Sequence, residues 1–194
     1  MQNITNEKYY ELDFDEKLKK GNKYPTEWFF TNLILKSRIE LGYPSNEDFF
    51  DEDVNVYLAN LLRKFVSSSL PDFYGDLDVY EKMFSKNDPR LQYELSKMYA
   101  DFMFTKAALF PNFNEDASAH TYKCSSWYGA AASLGRQVAI PKALILILRK
   151  LADSTEKYLF IVDTARKEYL NIRVYFSDSH INTLINQGKD DYES

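Results

Sequence analysis

Asp116, His120 and Cys124 recur every four positions. A helix through 116–124 would set all three on one face. A histidine and a cysteine at that spacing could share a zinc ion, or the imidazole could activate the thiol as a nucleophile. A structural zinc takes four ligands, however, and the chain holds one Cys and two His. His180 would have to arrive from elsewhere in the fold. The plainer reading is a partly exposed His120 beside a buried Cys124, because free cysteine is among the most buried residue types. No metal and no cofactor is expected.

Asp51, Asp53 and Asn55 copy the start of a calcium loop. Such a loop needs Gly at its sixth position and Glu at its twelfth, and Val56 and Leu62 stand there. The acids are better read as helix-start residues, where the helix dipole favours negative charge. Gly129 and Gly135 are followed by Arg136-Gln137 instead of the Lys-Ser/Thr of a phosphate loop. HExxH, GxSxG and CxxC are all missing. Ala117 and Ser177 lie three before the two histidines, so the Glu-x-x-His pairs of a di-iron bundle are missing too.

Arg173 and His180 are separated by six residues. The pair resembles the Arg and His of the helical ribonucleases called HEPN domains, which serve RNA cleavage across a dimer. That resemblance implies a nuclease with Arg173 and His180 as catalytic residues. It extends no further than the pair, since Val174 follows the arginine where that family usually has a polar residue. Short pairs arise often by chance.

Charge also speaks against nucleic acid as a partner. The net charge is −5, whereas phosphate contacts need a basic face. Lys17, Lys19 and Lys20 sit among Glu11, Asp13, Asp15 and Glu16, which makes a mixed, solvated face. The single cysteine fits a reducing compartment. Residues 1–8 lack the basic and apolar regions of a signal peptide. A cytoplasmic protein is expected. The most apolar stretch, 138–151, is interrupted by Pro141 and Lys142. It falls short of the roughly 20 residues a membrane span needs, so it reads as a core helix.

The elements that would hold these residues are helices. Only six Gly and six Pro punctuate 194 residues, 45% of them hydrophobic, and long periodic runs favour helix over strand. The spacing predicts an all-α domain at 24–188, a single compact bundle of about seven helices, between a loosely ordered segment at 1–23 and a frayed tail at 189–194. Pro25 opens a helix that Gly42 and Pro44 stop. Val54, Leu58, Leu61 and Phe65 mark one face of the next. Short helices are expected near 8–19, 76–85 and 179–186.

Asp88-Pro89 reads as a cap followed by a first-turn proline. Leu91, Leu95, Met98, Phe102, Thr105 and Leu109 then step by four and three. From Phe102 onward the other faces are apolar as well, which places this helix at the centre. Gly129, Ala130, Ala131, Ala132 and Gly135 make a helix that a neighbour can approach closely. The 138–151 helix looks buried nearly all round. At 170–176 apolar and polar residues alternate as in a strand. The helical spacing Tyr158, Val162, Ala165, Tyr169, Ile172, Phe176 runs longer, and helix is the choice there.

Three blocks carry a second resemblance. Ala100-Asp101-Phe102 running to Ala108-Leu109-Phe110-Pro111 resembles a "GD, apolar run, GFFP" block, with Ala100 and Ala108 in place of its glycines. Tyr122 through Trp127-Tyr128-Gly129-Ala130-Ala131 is similar to a "YY…G…AY…A" block, and Tyr57-Leu58-Ala59-Asn60-Leu61-Leu62 looks like a "YLxxLL" helix. All three resemble blocks of an uncharacterised family of proteobacterial-type helical proteins of about 200 residues. The resemblance implies a helical fold and a bacterial origin, and no activity.

Fifteen Tyr and 14 Phe are the remaining clue. Adjacent pairs such as Tyr9-Tyr10, Phe29-Phe30 and Phe49-Phe50 point their rings to different faces, and exposed aromatics mark protein interfaces. The plainer reading is that they fill a helical core. With no catalytic motif in hand, the expected function is that of a non-enzymatic protein that binds another protein or itself. The ribonuclease is the alternative.

Overall fold

The computed structural model describes residues 27–43, 51–67, 82, 87–110 and 117–169. All regular structure among them is α-helical, in six helices. In chain order these are α1 Glu27–Glu40, α2 Glu52–Ser67, α3 Pro89–Leu109, α4 Ala117–Gln137, α5 Lys142–Asp153 and α6 Thr155–Tyr169. Apart from Lys82, which is helical, the three short helices expected from sequence lie outside the described residues, as do 1–23 and 189–194. The 157–169 stretch is helix, and 170–176 lies outside.

Helix ends follow local chemistry. Gly42 stops α1 at φ 68. There the Tyr43 N–H reaches the Arg38 carbonyl at 2.8 Å and the Gly42 N–H reaches that of Ile39 at 3.1 Å, the paired bonds of a Schellman cap. Asp88 caps α3, accepting from the N–H groups of Arg90 at 2.9 Å and Leu91 at 3.4 Å, with Pro89 in the first turn. α4 ends as α1 does, with the Ile140 N–H on the Gly135 carbonyl at 3.0 Å. Here the left-handed position is held by Ala139, at φ 57.

Packing decides which faces are dry. α4 lies mainly against α3 and α5, while α1 packs on α2 and α6, and α6 also meets α3. The small residues of α4 permit this. A Cβ added at Gly135 would come 3.3 Å from the Tyr93 ring and 3.5 Å from Ile145, and one at Gly129 would come 4.0 Å from Ala152. Val54, Leu58, Leu61 and Phe65 of α2 are buried together. Phe29 and Phe30 are both buried, edge to face at 5.3 Å. Tyr99 meets Trp127 edge-on at 5.1 Å, joining α3 to α4.

Two expected faces are corrected. In α3, Phe102, Thr105 and Leu109 are buried, but Met98 faces water and Leu91 and Leu95 are only half-buried. The first half of α3 instead turns Tyr93, Ser96, Tyr99 and Ala100 inward. The aromatic face wins because its rings bury more apolar area than leucines do. From Asp101 to Leu109 only Ala107 is not buried, which is the central position expected. The 138–151 stretch is not a single helix buried all round. Residues 138–141 form a turn, and α5 buries Ile145, Leu148 and Leu151 on one side, with Leu146 exposed on the other. Its neighbours cover one side only.

Candidate functional site

Buried serine and threonine hydroxyls in these helices turn back onto the preceding helical turn. Ser37, Thr105 and Thr155 donate to carbonyls four residues earlier, at 2.9, 2.8 and 2.6 Å, which satisfies them locally. Two buried carboxylates, Asp51 and Asp101, behave differently, and each gathers donors from other helices into a cluster.

The first is built at the start of α2. Asp51 precedes the helix and its carbonyl accepts from the Val54 and Asn55 N–H groups, so its side chain is fixed at the junction of α1 and α6. Oδ1 accepts from Arg38 Nη2 at 2.7 Å, and Oδ2 accepts from Lys157 Nζ at 2.8 Å and the Tyr158 hydroxyl at 3.0 Å. Arg38 also donates to Asn55 Oδ1 at 3.0 Å and the Tyr43 carbonyl at 3.2 Å. The Asn55 amide nitrogen is buried without an acceptor. Burial alone would raise the Asp51 pKa. Hydrogen bonds from Lys157 and Arg38, with their charges, outweigh it and hold the carboxyl below its ordinary value. Burial and the Asp51 charge push the Tyr158 phenol up. Two positions on, Asp53 binds Lys150 of α5 through both oxygens, at 2.8 and 2.9 Å.

The second cluster lies where α2, α3 and α4 meet. Asp101 Oδ1 accepts from the Tyr57 hydroxyl at 2.6 Å and the Tyr128 hydroxyl at 2.9 Å. Oδ2 accepts from Lys97 at 2.6 Å. The Lys97 ammonium also stands over the Tyr57 ring, 5.1 Å from its centroid. Burial, then the Asp101 charge, pushes both phenols well above their usual range. Tyr57, Asp101 and Tyr128 come one from each of the three resemblance blocks.

In each cluster three donors from the protein itself converge on the carboxylate. The clusters join helices that are distant in sequence.

The two described sequence candidates differ in burial. His120 and Cys124 do share α4, but His120 is half-buried while Cys124 is wholly buried, its thiol facing the Ala100 carbonyl at 3.6 Å. Burial, then the Asp101 charge, pushes that thiol well above its ordinary pKa, opposite to what a nucleophilic thiolate requires. Asp116 lies outside the described residues, as do Arg173 and His180. Among the described residues no group of three or more His, Cys, Asp or Glu is placed to hold a metal ion.

One surface feature was not foreseen. A cleft of about 570 Å³ opens between α4 and the turn joining α5 to α6. Tyr122, Thr121 and Ser125 form one wall, and Asp153, Ser154 and Glu156 lie on the other. Sequence held a partial signal, because Tyr122 falls on the polar side of α4. The second wall depends on where α5 turns.

Fold and site together define a helical bundle braced by buried ionic clusters. No family model, no curated protein and no solved structure matches this chain.

Proposed function

We propose that this chain is a non-enzymatic helical protein of the bacterial cytoplasm that works by binding another protein or a second copy of itself. One observation carries the reading. Three successive helices each hold a large apolar side chain out in water: Tyr122 of α4 at 74% exposure, Leu146 of α5 at 54% and Phe160 of α6 at 50%. Aromatic side chains are enriched in interfaces, where they supply contact area at low entropic cost. The two carboxylate clusters each tie separate helices together, a bracing role that supports the non-enzymatic half of the reading. The lone cysteine supports a reducing compartment, and the resemblance supports a bacterial source. No described helix is long and apolar enough to cross a membrane.

The test is association of the full chain. Light scattering behind a sizing column reads self-association, and affinity capture reads another partner. Replacing Tyr122, Leu146 and Phe160 by Ser is expected to abolish whichever is found while leaving the helical circular dichroism unchanged. A monomer that captures nothing, or an association indifferent to the triple substitution, defeats the reading.

A further inference from the structure

The cleft beside Tyr122 carries charge that no described residue answers. Asp153 and Glu156 are exposed and have no ion-pair partner among the described residues. Lys157 also lines the cleft, but its ammonium is committed to Asp51 at 2.8 Å and to the faces of Tyr43 and Tyr158 at 5.7 and 5.3 Å. The first turn of α6 adds a partial positive charge of about half a unit, too little to offset two carboxylates. The Tyr122 ring is three-quarters exposed on the facing wall, and its face attracts cations. At about 570 Å³ the cleft is of a size that holds small ligands and single side chains.

We propose that this cleft binds the guanidinium or ammonium head of a basic side chain presented by a partner protein. The Tyr122 ring takes the face of the cation, and Asp153 and Glu156 accept from its N–H groups. This rests on the protein-binding reading above and names the chemistry of the partner. Bidentate geometry favours arginine over lysine.

The test uses the full chain, isotopically labelled, with amide chemical shifts as the readout. The probe is a capped Gly-Arg-Gly tripeptide; capped Gly-Gln-Gly, capped Gly-Glu-Gly, inorganic phosphate and agmatine are the comparison arms. The arginine peptide is expected to shift the amides of Tyr122, Ser125 and Glu156 saturably, and the glutamine and glutamate peptides to leave them in place. Tyr122→Ala should weaken binding about fivefold. The Asp153→Asn, Glu156→Gln pair should weaken it about tenfold, and salt should weaken the unaltered protein, because exposed charges are screened. All these residues are exposed, so the spectra of the variants will show whether the fold is intact. Saturable shifts by phosphate or the glutamate peptide would mean that the α6 N-terminus governs the cleft, and would overturn the proposal. So would arginine-peptide binding that survives both variants, or no binding at all. Agmatine binding without the peptide would place a free organic cation there and reject a protein ligand for the cleft. None of these results alters the separate association test of the wider reading.

Discussion

The guanidinium of Arg38 lies 2.7 Å from the Asp51 carboxylate with both side chains almost out of water, at 1% and 2% exposure. Removing one member of such a pair leaves the other charge buried without its partner, which costs about 3–5 kcal/mol. Asp51→Ala is therefore expected to lower the melting temperature by roughly 6–20 °C for a chain of this size. The double replacement Arg38→Met, Asp51→Leu removes both buried charges and is expected to recover part of that loss, the remainder being the buried Tyr158 hydroxyl left without its acceptor. Thermal unfolding followed by circular dichroism reads both. A melt for Asp51→Ala within a degree of the unaltered protein would mean that the pair does not brace the bundle.

The same carboxyl sets a pH dependence. Its pKa is lowered in the folded state, against the pull of burial, by Lys157 and Arg38. A carboxyl of that kind contributes stability that is fully present above its unfolded value, about 3.9, and is lost as pH falls through the lower folded value. Stability should therefore fall as pH drops below about 4. In Asp51→Asn that part of the acid limb should flatten. Urea midpoints measured from neutral to acid pH give the comparison, and parallel curves for the two proteins would contradict it.

How much of this was legible beforehand depends on the range of the interaction. Caps and helix faces are local, so Asp88-Pro89, Gly42 and the Val54–Leu58–Leu61–Phe65 face could be read from spacing. The carboxylate clusters are not local. Asp51 meets a lysine 106 positions away and Asp53 one 97 away, and both acids read from sequence as helix-start residues. Their backbone setting fits that reading, with Asp53 in the first turn of α2. Their side chains serve a tertiary purpose that no spacing encodes. Met98 misled for a related reason, since two apolar faces of α3 competed and packing against Trp127 chose between them.

Ala139 and Gly42 occupy the same left-handed cap position at the ends of α4 and α1, with φ 57 and 68. Glycine suits that conformation, while a Cβ costs about 1 kcal/mol there. Ala139→Gly is expected to stabilise the protein by about 0.5–1 kcal/mol. Gly42→Ala should destabilise it by about 1 kcal/mol through φ alone, because a Cβ at Gly42 would meet nothing within 4 Å. Denaturant midpoints of the two variants should move in opposite directions; movement in the same direction would refute the cap assignment.

Cys124 is wholly buried, and its thiol pKa is raised by that burial and by the Asp101 charge. Alkylating reagents attack the thiolate, so native protein at mildly alkaline pH should stay unmodified while unfolded protein reacts promptly. The labelling rate of native samples should follow the open population set by global stability. Mass spectrometry after timed iodoacetamide exposure measures it. Rapid native labelling would show an open thiol and revive the nucleophile reading of His120 and Cys124.

Asp101 distinguishes a bracing carboxylate from a catalytic one. Asp101→Asn keeps an oxygen for the Tyr57 and Tyr128 hydroxyls but turns an amide donor toward the Lys97 ammonium. Lys97 can swing into water, so the cost should be about 1–2 kcal/mol. Asp101→Leu leaves the buried Tyr128 phenol and the half-buried Tyr57 phenol without an acceptor and should cost about 2–4 kcal/mol more. The phenols supply a readout that stability alone does not. Their pKa values are raised by burial and then by the Asp101 charge. Groups raised in this way keep their protons folded and lose them unfolded, so alkaline pH above about 10 favours unfolding. With the charge gone, Asp101→Asn should let Tyr57 and Tyr128 ionise at a lower pH than in the unaltered protein. Tyrosinate absorbance in Tyr57→Phe and Tyr128→Phe backgrounds assigns the change to each ring. An unaltered alkaline titration in Asp101→Asn would mean that the carboxylate does not hold these phenols in solution.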